Sequence, residues 1–530
     1  MSFSDEPVVL RSNAIVEPLV DGFYAWLHIV APVQASMNLA NLQVPMLESY
    51  LQNPQVHMAA SRNPALRGGY FVNIDESRSN EVATLLDGIK RDRAEMLAFA
   101  AAVSEAGDML RQKATGFDLT PLYPHLPSAL NGLVELAYDM GNQPSMHFIE
   151  PLLYASPVYD TGRQSVQLSL DDGIERPFIL STPRLPGPGV LDLPIRFDHP
   201  GLDELFAARV RPASAARLRE ALELDDAQAT QLSRLLTTVP SVAPDRHIES
   251  GGRIRYFGHA CLVLQTPEAS VVTDPFISTD NRYGDRYTLD DLPDRIDLVL
   301  ITHGHQDHIV LETLLQLRSR TGAIVVPRSS RGNLCDPSIG LYLKALGFTV
   351  IEVDDFDEVP FPGGGRVVAT PFLGEHSDLD IRAKSTFILQ LAGASVFIGA
   401  DSAGIDPVLY RHIHGHVGNV DMAFLGMKCD GAPLTGLYQG VLTRPVTKKM
   451  SYSRKLSGSN ARQAAAIMTE LDADEAYVYA MGEERWQGHV MDTTYAENTY
   501  QLKQIDEFLD WCADQGITAE HLLNKREWRW

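Results

Sequence analysis

The segment "THGHQDH", Thr302 to His308, places three imidazoles and one carboxylate within six residues, directly after the apolar run "IDLVLI". Side chains at i and i+2 of an extended chain share a side, so His303 and His305 project together. Asp307 and His308, where the chain turns into the helical pattern "IVLETLLQLRSR", face a second, adjacent position. One short segment thus offers ligands for two neighbouring metal ions, the arrangement used in two-metal catalysis. The bland alternative is a polar loop that happens to be rich in histidine. The order strand, HxHxDH, helix argues against it.

A dinuclear site needs a bridging carboxylate and further ligands from strand ends. Asp401, closing "VFIGAD", is a suitable bridge, and His489 follows the strand pattern "AYVYAM". Asp274 in "VVTDP" suits a partner that orients a ligand from behind. "LGEHSD" sets Glu375 beside His376. Either can bind a metal, but neighbours in an extended chain point in different directions. "RHIHGHVG", with His412, His414 and His416, is richer in histidine but follows a helical pattern. Positions i and i+2 of a helix do not share a face, so these three are expected to be solvated residues at a helix end.

These ligands need a framework of strands and helices. "RIRYFGHACLVLQT", "SVVTDP", "AIVVP" and "FTVIEVD" read as further strands, "PSIGLYLKALG" as a helix, and "STFILQLAGASVFIGAD" as a hairpin turning at Gly393. Strands alternating with helices imply sheets covered by helices, an α/β class. Ahead of them, "LLTTVPSVAPDRHIESGG" has no periodicity and is the best linker, dividing the chain into residues 1–245 and 246–530. The first part reads as mixed α and β. Residues 79–110 have helical spacing with Ser79 or Asn80 as N-cap, and "RQSVQLSL" and "ERPFILS" read as strands around a "DDG" turn. It holds no catalytic motif, and His28, His57, His125, His147 and His199 are each isolated and expected to be structural.

Composition bounds the function class. A chain of 530 residues exceeds one ordinary core. A net charge of −23 argues against nucleic acid or an anionic membrane as partner. The acidity is spread along the chain, with 18 Lys+Arg against 30 Asp+Glu in residues 1–245. Four cysteines without CxxC spacing read as reduced thiols, and the first residues lack the pattern of a secretion signal. A cytoplasmic protein is expected.

The order TDP strand, HxHxDH, Gly-x-His-like segment, strand-end Asp and late His resembles the metallo-β-lactamase superfamily over roughly residues 253 to 500. That resemblance implies a C-terminal αβ/βα sandwich with metals at one edge of the packed sheets, beside a mixed α+β N-terminal domain. It usually has a histidine directly after the glycine, where this chain has Glu375. If Glu375 binds, His303, His305, His308 and His489 join Asp307, Glu375 and Asp401, a donor set with three negative charges. Anionic oxygens stabilise a metal as its charge rises, which favours iron that reacts with O2 over zinc. With this glutamate, this length and the large first half, the whole chain resembles the diiron β-hydroxylases of chloramphenicol biosynthesis. The resemblance implies a monooxygenase with two iron ions, Glu375 and Asp401 as its catalytic carboxylates, and O2 as co-substrate. The implied substrate is p-aminophenylalanine held as a thioester on a carrier domain of a non-ribosomal peptide synthetase. It further implies a separate electron donor, and a homodimer and carrier docking served by residues 1–245. The alternative is a dizinc hydrolase of an ester, lactone or thioester.

Overall fold

The computed structural model describes residues 7–238, 245–280 and 283–530. Part of the expected linker, and the first six residues, lie outside them.

Two seven-stranded sheets form the second half of the chain. The first runs Val350–Val353, Thr321–Pro327, Ile296–Leu300, Ser270–Thr273, Cys261–Gln265, Arg253–Gly258 and Arg526–Arg529. The second runs Glu358–Phe361, Gly365–Thr370, Thr386–Leu391, Ala394–Ile398, Val420–Gly426, Ala473–Tyr479 and Thr518–His521. Alternate residues explain the layering. Ile254, Leu262, Leu264, Leu298 and Leu300 of the first sheet meet Phe387, Leu389, Val396 and Ile398 of the second in one core. Residues of opposite phase face outward. Ile388, Phe397 and Leu425 pack on helices that include Pro407–Val417 and Ala461–Leu471. Val263, Val272 and Val299 join a core that contains Leu311 and Leu314 and continues into the first half through Val16, Leu205 and Phe206. Both faces of each sheet are therefore covered, which is why so many of these strands read as unbroken apolar runs. The hairpin at Gly393 has Ala392 and Gly393 both at positive φ.

The first half departs from the sequence reading in two places. Helix Ser79–Asp92 is separated from Ala94–Lys113 by Arg93, whose fully buried guanidinium binds Asp21 and Asp160. Neither Ser79 nor Asn80 caps it, because the helix runs straight on from a 3-10 turn capped by Asp75. Strand Gln164–Leu170 is present, but its partners are Ala14–Val20 and Leu191–Leu193. "ERPFILS" is not a strand. Pro177 has no N–H to give a ladder, and Arg176 turns inward to two buried acids. Among the described residues, no helix is long and apolar enough to cross a membrane.

Candidate metal centre

Strand Ile296–Leu300 delivers Thr302 to His308 to the edge of the sandwich, between the two sheets. Three other connections reach the same edge: the turn at His259, the loop after Thr370 with Glu375 and His376, and Asp401 beyond Ile398. His259, Asp274, Glu375 and Ala400 all have positive φ. Such backbone is costly for residues with a Cβ and concentrates where side chains must be aimed.

Two groups of donors form. His303 Nε2 lies 3.1 Å from His305 Nδ1, and Glu375 Oε1 lies 2.8 Å from that same Nδ1, with Oε2 3.6 Å from His303 Nε2. His376 belongs to this group too. The left-handed φ values of Gly374 and Glu375 turn the chain so that both neighbours face His305, which an extended segment would not allow. In the second group His259 Nε2 is 3.2 Å from Asp307 Oδ2, and His308 joins them. Asp401 Oδ2 lies 3.5 Å from His308 Nε2, and Asp401 is also grouped with His303, between the two sets.

The donors behave as ligands should. Both nitrogens of His259, His308 Nε2, Glu375 Oε2, His376 Nε2 and Asp401 Oδ1 are buried without a hydrogen-bond partner in the protein. Leaving so many polar atoms unpaired in one place is costly unless a cation draws on them, so these residues fit a pair of metal ions. Burial pushes the Glu375 carboxyl above its usual range, only partly offset by His305, so its anionic form needs such a cation.

The supporting groups are also defined. Asp274, wholly buried, accepts from Thr302 N and Oγ1 at 2.8 and 2.6 Å and lies 2.8 Å from His308 Nδ1. It thereby fixes which ring nitrogen of His308 faces the donors. Asp274→Asn should lower metal affinity at the second position by roughly 10- to 100-fold, the range for such partners. Metal content after graded chelation checks this; unchanged retention would show that Thr302 and the backbone suffice. His305 Nε2 lies 2.8 Å from the buried Tyr438 hydroxyl. A cavity beside this pair is lined by Leu27, His28, Ile339, His376 and Tyr438. His28, read from sequence as merely structural, reaches the site from the first half.

His489 is not among the closely spaced donor groups of the described residues. Its buried Nε2 has no hydrogen-bond partner and lies 4.0 Å from Glu312 Oε2, and its ring meets Tyr24 and Phe276, the latter also against His259. Burial and the nearby Arg176 hold His489 well below the usual imidazole range. His259 was not singled out from the sequence, because "RYFGHACLV" reads as one apolar strand. The available signal was the small pair around it, Gly258 and Ala260, which marks a turn. His412 and His416 are exposed, and His414 Nδ1 is 3.0 Å from Leu471 O.

Comparison with known proteins finds relatives of both halves of the chain. A family model described as the diiron non-heme beta-hydroxylase N-terminal domain matches residues 9–240, and a beta-lactamase superfamily domain matches residues 253–398. The chain is 36% identical over 529 residues to the 4-amino-L-phenylalanyl-[CmlP-peptidyl-carrier-protein] 3-hydroxylase of Streptomyces venezuelae, covering 98% of this chain and 99% of that one. It superimposes on the crystal structure of CmlA, a diiron beta-hydroxylase from the same organism, with a TM-score of 0.91 and 34% identity, covering 99% and 100% of the two chains. A metal-dependent hydrolase of Thermodesulfovibrio yellowstonii is 29% identical over 188 residues, 34% of this chain and 62% of that one. With buried donors for two metal ions at the edge of a metallo-β-lactamase sandwich, and a likeness running through both halves, the chain belongs to the diiron non-haem β-hydroxylases.

Proposed function

We propose that the chain hydroxylates the β-carbon of an aromatic amino acid, 4-amino-L-phenylalanine or a close analogue, held as a thioester on a peptidyl carrier domain of a non-ribosomal peptide synthetase. One observation carries the reading: both halves of the chain, and not the catalytic half alone, align with a hydroxylase named for a carrier-bound substrate. His303, His305 and Glu375 would hold the first iron, with His376 lining the cavity. Asp307, His308 and His259 would hold the second, and Asp401, grouped with His303 and His308, would serve both. When bound, the iron pair supplies the two-electron chemistry that turns O2 on an aliphatic C–H bond.

The chain's own residues supply the setting. Three carboxylates nearly balance the charge of two divalent ions. Asp274 and Tyr438 hold imidazoles in place, and Leu27, Ile339 and the Tyr438 ring give the cavity apolar walls that exclude water. The cavity measures only about 20 Å³, so admitting a substrate ring requires its walls to part. The proposal includes a separate electron donor, a homodimer formed through residues 1–245, and a cytoplasmic location. A dizinc hydrolase is not favoured, since a third carboxylate gives zinc no advantage.

Protein purified without added metal should hold close to two irons per chain. After chemical reduction it should consume O2 and hydroxylate carrier-bound 4-aminophenylalanine, while free amino acid remains a poor substrate. Two zincs with no O2 uptake would sink the oxygenase reading. Efficient turnover of the free amino acid would remove the carrier.

A further inference from the structure

The chain makes one long excursion between strand Val420–Gly426 and helix Ala461–Leu471. From Gly431 to Asn460 it contains no Asp or Glu and five Lys or Arg, in a protein whose net charge is −23. Arg444, Lys448 and Lys449 are exposed and, among the described residues, form no ion pair. Lys448 Nζ sits 5.4 Å above the Tyr452 ring. Tyr452 and Met450 are about half exposed, at 54% and 49%, so the same short helix offers apolar contact area beside Lys448 and Lys449. A solvated face on so acidic a protein has no need of a block with one sign. Opposing acids would neutralise it, yet among the described residues Lys455, with Asp430, is its one ion-paired cation.

The placement of this block gives it meaning. Its short helix Lys448–Ser453 is bonded to helix Thr435–Tyr438 through Ser451 Oγ and Thr435 Oγ1, 2.8 Å apart. Tyr438 ends that second helix and touches His305. Arg454 Nε donates to Ser377 O at 2.8 Å, two residues beyond Glu375. The first half clasps the same excursion: the Tyr70 hydroxyl donates to Gly436 O at 3.0 Å, and Asn41 Nδ2 to Gly440 O at 2.9 Å. The excursion that carries the cations is therefore bonded to the loop of Glu375 and includes Tyr438, which lines the cavity.

We propose that the face formed by Arg444, Lys448, Lys449, Met450 and Tyr452 is the docking surface for the substrate-bearing carrier domain. The partner it fits is an acidic protein whose thioester arm begins with a phosphodiester. A block of positive charge on a negatively charged enzyme attracts such a partner and orients it, while the rest of the surface repels it. The expected part of residues 1–245 in docking is then to hold this excursion in place. The inference rests on the carrier-bound reading above.

The experiment compares wild type with R444E/K448E/K449E, using a carrier domain loaded with 4-aminophenylalanine. All three positions are exposed and outside the metal centre, and circular dichroism and iron content verify the fold. The triple variant should raise KM for the loaded carrier about tenfold or more with kcat little changed, in keeping with electrostatics acting on encounter. Wild-type KM should climb with salt, and the variant's should respond less. A control reversing three scattered exposed cations, Lys113, Arg234 and Lys503, should change KM far less. An unchanged KM in the triple variant, or an equal rise in the control, overturns the docking surface while leaving the hydroxylase reading intact. Binding of RNA or anionic vesicles that only the triple variant loses, with carrier KM unmoved, overturns it in favour of another partner. Wild type that hydroxylates no carrier-bound substrate removes both readings.

Discussion

Glu375→His is expected to keep two metals bound yet lose at least about a hundredfold in hydroxylation. That figure is the upper end of the range for partners one step removed from a metal, taken as a floor for a direct ligand. The substitution restores the imidazole that the metallo-β-lactamase fold usually carries, so coordination number is preserved and one negative charge is removed. Glu375 Oε1, 2.8 Å from His305 Nδ1 in a buried site, would place that charge among the donors of the first ion, out of the screening of water. The remaining shell suits zinc or iron(II), and the variant should have a higher reduction potential and consume O2 slowly after reduction. His376→Ala is the contrasting arm. It should retain both irons, with turnover altered only through the cavity. Iron content, potential and single-turnover yield on both variants separate the roles. If His376→Ala loses iron while Glu375→His hydroxylates normally, His376 is the ligand, and the charge argument for oxygen chemistry fails.

The sequence makes the contiguous parts of this site readable and hides the rest. His303, His305, Asp307 and His308 sit on a strand end followed by a helix, where periodicity alone fixes which side chains share a side. Asp401 and Asp274 end apolar strands, a position that a run of buried residues announces. Glu375 and His376 read as alternatives because an extended segment would aim them apart; the positive φ of Gly374 and Glu375, which no local pattern displays, brings both to His305. His259 was concealed for a similar reason. Two apolar runs separated by Gly-His-Ala look like one strand, and only the left-handed turn at His259 carries its ring to the metal edge. His489 has the right order in the chain, and the short helix Gly488–Met491 sets its unpartnered Nε2 4.0 Å from Glu312 and its ring against Tyr24 and Phe276, apart from the closely spaced donors. The sandwich itself was legible because strands covered on both sides leave long apolar runs. The interface between halves was not, since the network of Glu17, Arg176, Arg184 and Glu312 that crosses it is charged.

That interface should bear the largest effect on stability. Arg176 Nη2 lies 2.6 Å from Glu312 Oε2 and 2.8 Å from Glu17 Oε1, Arg184 Nη2 is 2.9 Å from Glu17 Oε1, and the Tyr24 hydroxyl donates to Glu312 at 2.9 Å. Glu17 and both arginines come from the first half, while Glu312 lies on the helix Leu311–Leu317 that follows His308. Two acids and two bases balance in a buried site. Arg176→Met leaves two acids facing one base, which should cost about 3–5 kcal/mol. The helix behind the metal ligands loosens with it, so iron should also be lost more readily to chelator. Acid should act on the same network. Burial alone would raise the Glu17 carboxyl, but Arg176 and Arg184 outweigh it and hold it at about 2, against 4.5 for a free glutamate. A carboxyl depressed on folding stabilises the protein fully above its unfolded value, so this contribution is complete above pH 4.5 and disappears as the pH falls toward 2. Denaturant unfolding of iron-free protein at pH 7 and at pH 3 should show a gap between wild type and Glu17→Gln that narrows in acid. A loss below about 1 kcal/mol for Arg176→Met, the range of exposed pairs, would mean that water screens the network and that the halves are held by their apolar contacts alone.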